Sequence, residues 1–284
     1  MEMQGKHVLV TGATGGIGEQ TALELARKGA SLTIVGRSPD KLAATAGRLR
    51  AEVPGVEVDT LRADLSLVSE TRAAGEAFLA SHDSLDVLVN NAGALYLDRA
   101  ETAEGRERTF ATNHLGYFVL TDTVLPALRK AAKDRGEARV VSVASAAHRV
   151  GSIDWDDLDA ARSYGGWRQY GTTKLMNILF AAELARREAE HGIVSNSLHP
   201  GVIATGFARN EGGITAWIAG TFGPWFLIDA TKGAATSIHL ASSPAVRGQS
   251  GQYFARCKPA RPRPAARDEA AARRLWDVTR ALVG

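Results

Sequence analysis

A single cysteine, Cys257, occurs in the 284 residues, so no intrachain disulfide can form and no thiolate cluster can hold a metal. A reducing compartment, the cytoplasm, is the expectation. An excess of one charge is also missing: 34 lysines and arginines against 31 aspartates and glutamates leave a formal charge of +3. That is too little for a nucleic-acid-binding face, and none is expected. The densest basic stretch, around Arg256, Lys258, Arg261, Arg263 and Arg267, is broken by prolines and reads as a solvated tail. No apolar run reaches the ~20 residues of a bilayer-spanning helix. The longest, from Ile214 to Ile228, is interrupted by Gly220, Gly223 and Pro224. No basic-then-apolar leader precedes the first apolar segment, so export is not expected. His114, His148 and His199 lack ligand spacing, so no metal site is expected and packing or polar roles are.

Against these absences stands an ordinary globular composition, with 45% hydrophobic and 23% charged residues. Short apolar runs at 7–11, 31–36, 56–63, 85–90, 138–143, 194–199 and 252–255 alternate with helix-period segments at 17–28, 39–51, 66–81, 104–130, 167–190 and 230–241. Alternation of this kind predicts an α/β fold, a single Rossmann-type doubly wound parallel sheet of order 3-2-1-4-5-6-7 flanked by helices. No linker or repeat divides the chain, so 1–284 reads as one domain, with a lid at about 206–230 and a tail at 256–284.

The first apolar run ends in TGATGGIG, Thr11 to Gly18, and a helical segment follows. A strand-to-helix turn without side chains admits a pyrophosphate, which unpaired N–H groups and the helix dipole then hold. Gly12, Gly16 and Gly18 are the glycines assigned to that approach, with Thr14, Gly15 and Ile17 beside them. Spacing leaves two readings open, one through Gly12, Gly16 and Gly18 and one through Gly12, Gly15 and Gly18. After the second strand, where an acidic residue would grip a ribose hydroxyl, stand Gly36 and Arg37. An arginine there suits a 2′-phosphate, so NADP(H) is preferred over NAD(H). Asp64 and Leu65 follow the third strand, where a carboxylate can accept an adenine amino group; a helix-start role for Ser66 is the alternative.

The motifs NNAG at Asn90 to Gly93, TNHLG around Asn113, Ser145 in VASAAH, YGTTK from Tyr170 to Lys174, and HPGVIAT with Pro200, Gly201, Val202 and Thr205 occur in one order. In that order the chain resembles a short-chain dehydrogenase/reductase over nearly its whole length. TNHLGYF, SAAH and the ending ASSP through ARRLW are similar to the retinol-dehydrogenase-like branch. The resemblance implies that Asn113, Ser145, Tyr170 and Lys174 are catalytic. Ser145 would hold the substrate oxygen, and Asn113 a water that links the lysine to solvent. It implies that Asn90, Ala92 and Gly93 lie along the cofactor and that Thr205 bonds the nicotinamide amide. It also implies a homodimer or homotetramer built through the long helices before the fifth strand and after Tyr170.

Hydride delivery to a carbonyl carbon needs a proton at oxygen in the same step. Tyr170 is the candidate donor, and Lys174, one helical turn on, would ease ionisation of a phenol whose ordinary pKa is near ~10. Tyr164 has Arg168 in the corresponding place and is set aside. Ser142 competes with Ser145, but its position inside the strand reads as a hydroxyl satisfied within the sheet. Phe207, Trp217, Phe222, Trp225 and Phe226 make the lid greasy, which favours a small lipophilic carbonyl or alcohol as substrate. The alternatives are a nucleotide-sugar epimerase or dehydratase, which the second glycine spacing allows, and an NADPH-binding sensor or scaffold without turnover.

Overall fold

In the computed structural model the described residues are 2–200 and 230–284. The lid and the candidate residues Gly201, Val202 and Thr205 lie outside them. Eight strands form one sheet of order β3-β2-β1-β4-β5-β6-β7-β8. They are β1 His7–Thr11, β2 Ser31–Gly36, β3 Val58–Arg62, β4 Val87–Asn90, β5 Ala138–Val143, β6 Ile193–His199, β7 Tyr253–Ala255 and β8 Lys258–Pro259. Neighbours are parallel through β7, as the alternating pattern predicts. The antiparallel β8 is not foreseen in the sequence: Arg256 and Cys257, with φ of 53° and 59°, turn the chain back on β7.

β4 and β5 are buried at every position, as strands covered on both faces must be. Side chains alternate between two cores, so Leu9 and Val140 face one while Val8, Val10 and Val141 face the other. The helices α1 Gly16–Arg27, α2 Pro39–Glu52 and α7 Ala230–Ser242 close the second core. The first is closed by α3 Val68–Ser81, α5 Gly116–Arg135, α6 Gly166–Arg187 and α8 Glu269–Val283.

The helical period expected over 104–130 is broken. One turn, α4 Arg108–Phe110, leads into a π-helical segment Ala111–Leu115 before α5 begins. Glu104 lies outside these helices, and its carboxylate accepts from the backbone N–H groups of Val68 and Ser69 at the start of α3. α3 therefore starts later than expected, because Asp64 draws in both the N–H and the hydroxyl of Ser66.

The basic stretch is exposed at Arg256, Lys258, Arg261 and Arg267, as expected, while Arg263 is half-buried. α8 buries Ala272, Leu275, Trp276, Thr279 and Val283, spaced for one helix face, in the groove between α5 and α6. Trp276 stacks on Phe180 with ring centroids 5.8 Å apart and meets Phe118 at 4.8 Å. Arg280 clamps Asp122 of α5 through both terminal nitrogens, at 2.6 and 2.7 Å. Part of the α5 and α6 surface through which the resemblance implies pairing is thus covered by the chain itself. Among the described residues, no helix is long and apolar enough to cross a membrane.

Candidate active site

The turn between β1 and α1 is closed by contacts that exclude side chains. Gly12 has φ of +64°, and a Cβ there would stand 2.9 Å from Cα of Ala92. A Cβ on Gly18 would lie 2.5 Å from Nδ2 of Asn91 and would collide with the carbonyl oxygen of Gly12. Gly16 has φ of +57°. Gly15 is different: it is exposed, its backbone is extended, and a Cβ there would meet nothing within 4 Å. The architecture thus needs glycine at 12, 16 and 18. A Cβ at Gly12 or Gly18 would meet protein, while the position open on that side is Gly15. No side chain caps α1, so its first N–H groups face this opening.

Two neighbours of that turn come from β2 and β3. Arg37 is exposed directly after β2 and forms no ion pair among the described residues. Asp64 spends one oxygen on Ser66, at 2.8 Å to the hydroxyl, and Leu65 is buried beneath Gly116.

Asn90 and Asn91 divide their work. The amide of Asn90 runs under the sheet to Oγ1 of Thr121, at 2.9 Å. Asn91, not among the sequence candidates, donates its side-chain amide to the carbonyl of Thr11 at 2.8 Å, and its backbone N–H to Oγ1 of Thr11 at 2.9 Å. Ala92 donates to the same hydroxyl at 3.0 Å, so the end of β4 is locked to the glycine turn. Only the asparagine doublet in the sequence hinted at this second role.

Asn113 sits in the π-helical segment, a distortion that commonly marks function. Its bonds reach segments remote in the sequence. Its Oδ1 accepts from Ala94 N–H at 2.8 Å, and its Nδ2 donates to Ala94 O at 2.9 Å and to Oγ1 of Thr173 at 3.1 Å. Gly93 allows this, since a Cβ there would be 3.2 Å from both Asn113 Oδ1 and Lys174 Nζ.

Ser145 stands just past the end of β5, its hydroxyl accepting from Ala147 N–H at 3.2 Å and close enough to the phenol of Tyr170 to lower its pKa. Tyr170 and Lys174 are buried, 8% and 3% exposed. The ammonium of Lys174 is 5.5 Å from the Tyr170 ring centroid and donates to the carbonyl of Val143 at 3.0 Å. Burial pushes the phenol up to about 12, with the nearby Ser145 hydroxyl opposing it, and holds Lys174 down to about 7. Lys174 is thus turned to the strand end.

The turn after Ser145 crosses α6 backbone to backbone. A Cβ on Gly171 would be 2.6 Å from the carbonyl oxygen of Ala147, and one on Gly151 would collide with Gly171. His199, at the end of β6, accepts from Ala146 N–H at 3.2 Å, and Pro200 follows it. His148 bonds the Ser145 carbonyl and His114 bonds Thr279. Tyr164 donates instead to the carbonyl of Tyr96 at 2.9 Å. Ser142 is a correction: its hydroxyl is buried without a hydrogen-bond partner among the described residues, inside the covered strand β5.

Residues 6–213 match the short chain dehydrogenase family. The chain belongs to that family. Human retinol dehydrogenase 14 is 39% identical to this dehydrogenase, over 99% of this chain and 87% of its own length, in keeping with the retinol-dehydrogenase-like branch. Among solved structures, Pseudomonas aeruginosa RhlG in an active-site complex with NADP is 27% identical. It superposes with a TM-score of 0.72 over 88% of this chain and 94% of its own. The NADH-dependent reductase A1-R′ complexed with NAD is 26% identical, with a TM-score of 0.68 over the same shares, 88% and 94%. The dehydrogenase shares with them an oxidoreductase family and a dinucleotide-binding fold.

Proposed function

We propose that this chain is a cytoplasmic, NADP(H)-dependent oxidoreductase that interconverts a carbonyl and an alcohol on a small lipophilic molecule, with Tyr170 as general acid and base. The observation that carries the reading is the joint burial of Tyr170 and Lys174 on α6 against the end of β5 that delivers Ser145, on the sheet edge that also holds the glycine turn. A nicotinamide dinucleotide fits the residues present. Gly15 leaves room for its pyrophosphate, and uncapped N–H groups of α1 meet the charge. Thr14, Gly16 and Ile17 border that opening, while Ala92, Gly93, Pro200, Gly201, Val202 and Thr205 would line the path to the nicotinamide.

When bound, the nicotinamide supplies or accepts a hydride. Ser145 holds the substrate oxygen in hydrogen-bonding reach of the phenol, and Tyr170 transfers the proton at its Oη. The buried phenolate left behind is unfavourable in a desolvated site, and the Lys174 ammonium offsets it. With a pKa near 7, Lys174 can release and regain a proton near neutrality. Asn113 holds the loop after β4 against α6, so these groups keep their spacing.

Arg37, exposed after β2, supports NADP(H) over NAD(H) by its fit to a 2′-phosphate. The retinol dehydrogenases among the relatives, together with the aromatic 206–230 segment, support a lipophilic substrate. Any homodimer or homotetramer must use surfaces other than the part of the α5 and α6 groove that α8 covers. The test is NADPH oxidation across aldehydes and ketones of rising chain length, with Tyr170→Phe beside it. Rates are expected to rise with chain length and to fall at least about 100-fold in the variant. Equal rates would remove Tyr170 from the mechanism. An unchanged ratio of NADPH to NADH dissociation constants in Arg37→Ala would overturn the coenzyme assignment.

A further inference from the structure

The turn that carries Ser145 has little apolar burial of its own. Val150 is 64% exposed and position 151 is glycine. Besides α6, what holds it comes from far along the chain. Nη1 of Arg263, in the segment after β8, donates to the carbonyl oxygens of Arg149 at 2.8 Å and Gly151 at 2.7 Å, with a longer contact to His148 O at 3.4 Å. Backbone carbonyls converging at the end of a helical turn favour a cation, and one guanidinium nitrogen here answers them.

His148 completes the link. Its ring is fully buried and lies edge-on to Tyr253, with centroids 5.3 Å apart. Nδ1 is 2.7 Å from the carbonyl oxygen of Ser145, and that oxygen can only accept, so Nδ1 carries the hydrogen. Nε2 then accepts from the backbone N–H of Arg263 at 3.5 Å. Burial and the nearby arginines hold the ring below its ordinary pKa, which keeps this neutral form.

We propose that Arg263 and His148 are positioning residues, a strap from the C-terminal segment that fixes the Ser145 hydroxyl against the Tyr170 phenol. This rests on the function proposed above. A loosened turn would leave the cofactor cleft intact, since the glycine turn lies on β1 and α1, and would act on the proton-transfer geometry alone.

The experiment compares wild type, Arg263→Ala, Arg263→Lys and Tyr170→Phe, using NADPH with decanal and amide hydrogen exchange over residues 145–151. In Arg263→Ala, kcat is expected to fall about 10-fold to 100-fold, as misplacement at a reacting centre does, with NADPH affinity unchanged. Exchange over 145–151 is expected to quicken at least tenfold. Lysine, with charge and several donors, should restore most of each loss. Wild-type exchange in Arg263→Ala would overturn the strap, and so would loss of NADPH affinity along with kcat, since that marks general unfolding. If Tyr170→Phe is inactive while Arg263→Ala is not, the strap alone fails. If Tyr170→Phe keeps full activity, the function fails and takes the strap with it.

Discussion

The ammonium of Lys174 and the carbonyl oxygen of Val143 are 3.0 Å apart, so the lysine is anchored on the strand that delivers Ser145. The hydroxyl of Tyr117 and the amide of Asn177 reach the same oxygen, each at 3.4 Å. The end of β5 therefore sets the positions of the lysine and the serine together, with Tyr170 held between them by α6.

Lys174 leaves a signature in stability. Its folded pKa, about 7, is depressed from 10.5 by burial. The unfolded chain thus binds the extra proton in that interval, and this contribution is present above 10.5 and lost as pH falls through 7. Urea unfolding of the cofactor-free protein between pH 7 and 9.5 is expected to show midpoints that rise with pH. Lys174→Met should flatten the rise; a slope kept in that variant would assign it elsewhere.

At lower pH, three histidines act in the same direction. Burial depresses His7 and His199 to about 4 and His114 to about 3, each from 6.5. Folded-state proton uptake is therefore delayed, and the stability they contribute above pH 6.5 disappears as pH falls through 4. Denaturant midpoints measured from pH 7 down to 4 should decline. A flat profile would mean that these rings are solvated.

Gly15 and Gly18 separate two functions of one turn. Gly18→Ala meets Asn91 and the Gly12 carbonyl and is expected to lower stability by about 1–3 kcal/mol. Gly15→Ala meets open space, so stability should stay within about 0.5 kcal/mol while NADPH affinity falls. Thermal unfolding and fluorescence titration give the two readouts, and equal destabilisation by both variants would contradict the division.

Gly171 is next to the phenol-bearing residue and has no room for a methyl group, given 2.6 Å from a Cβ to Ala147 O. Gly171→Ala should displace the 146–151 turn and reduce kcat about 10-fold or more, with the KM for NADPH little altered. Steady-state kinetics checks this, and a wild-type kcat would show that the crossing tolerates separation.

Trp276→Ala removes the ring stacked on Phe180 and edge-on to Phe118. A loss of about 3 kcal/mol is expected from the cavity left between α5, α6 and α8. Chemical denaturation measures it; a change below about 0.5 kcal/mol would mean that α8 contributes little to the fold.

Local patterning determined much of this protein. Apolar runs and helical periods place β1, β2 and β5 at their observed bounds and order β1 to β7, because burial on both sheet faces writes itself into consecutive residues. The same local reading exposes the glycine turn and the Tyr170–Lys174 spacing. The face that α8 buries is spaced at Leu275, Trp276 and Thr279, but the helical segments expected from the sequence stop at 241. Only the tertiary structure decided which glycines are obligatory, that Asn91 rather than Asn90 ties β4 to β1, that Lys174 turns to Val143, and that Arg263 reaches a turn over a hundred residues away. Each of those facts is a distance between segments remote in the chain, and no periodicity within a segment encodes where another one will come to rest.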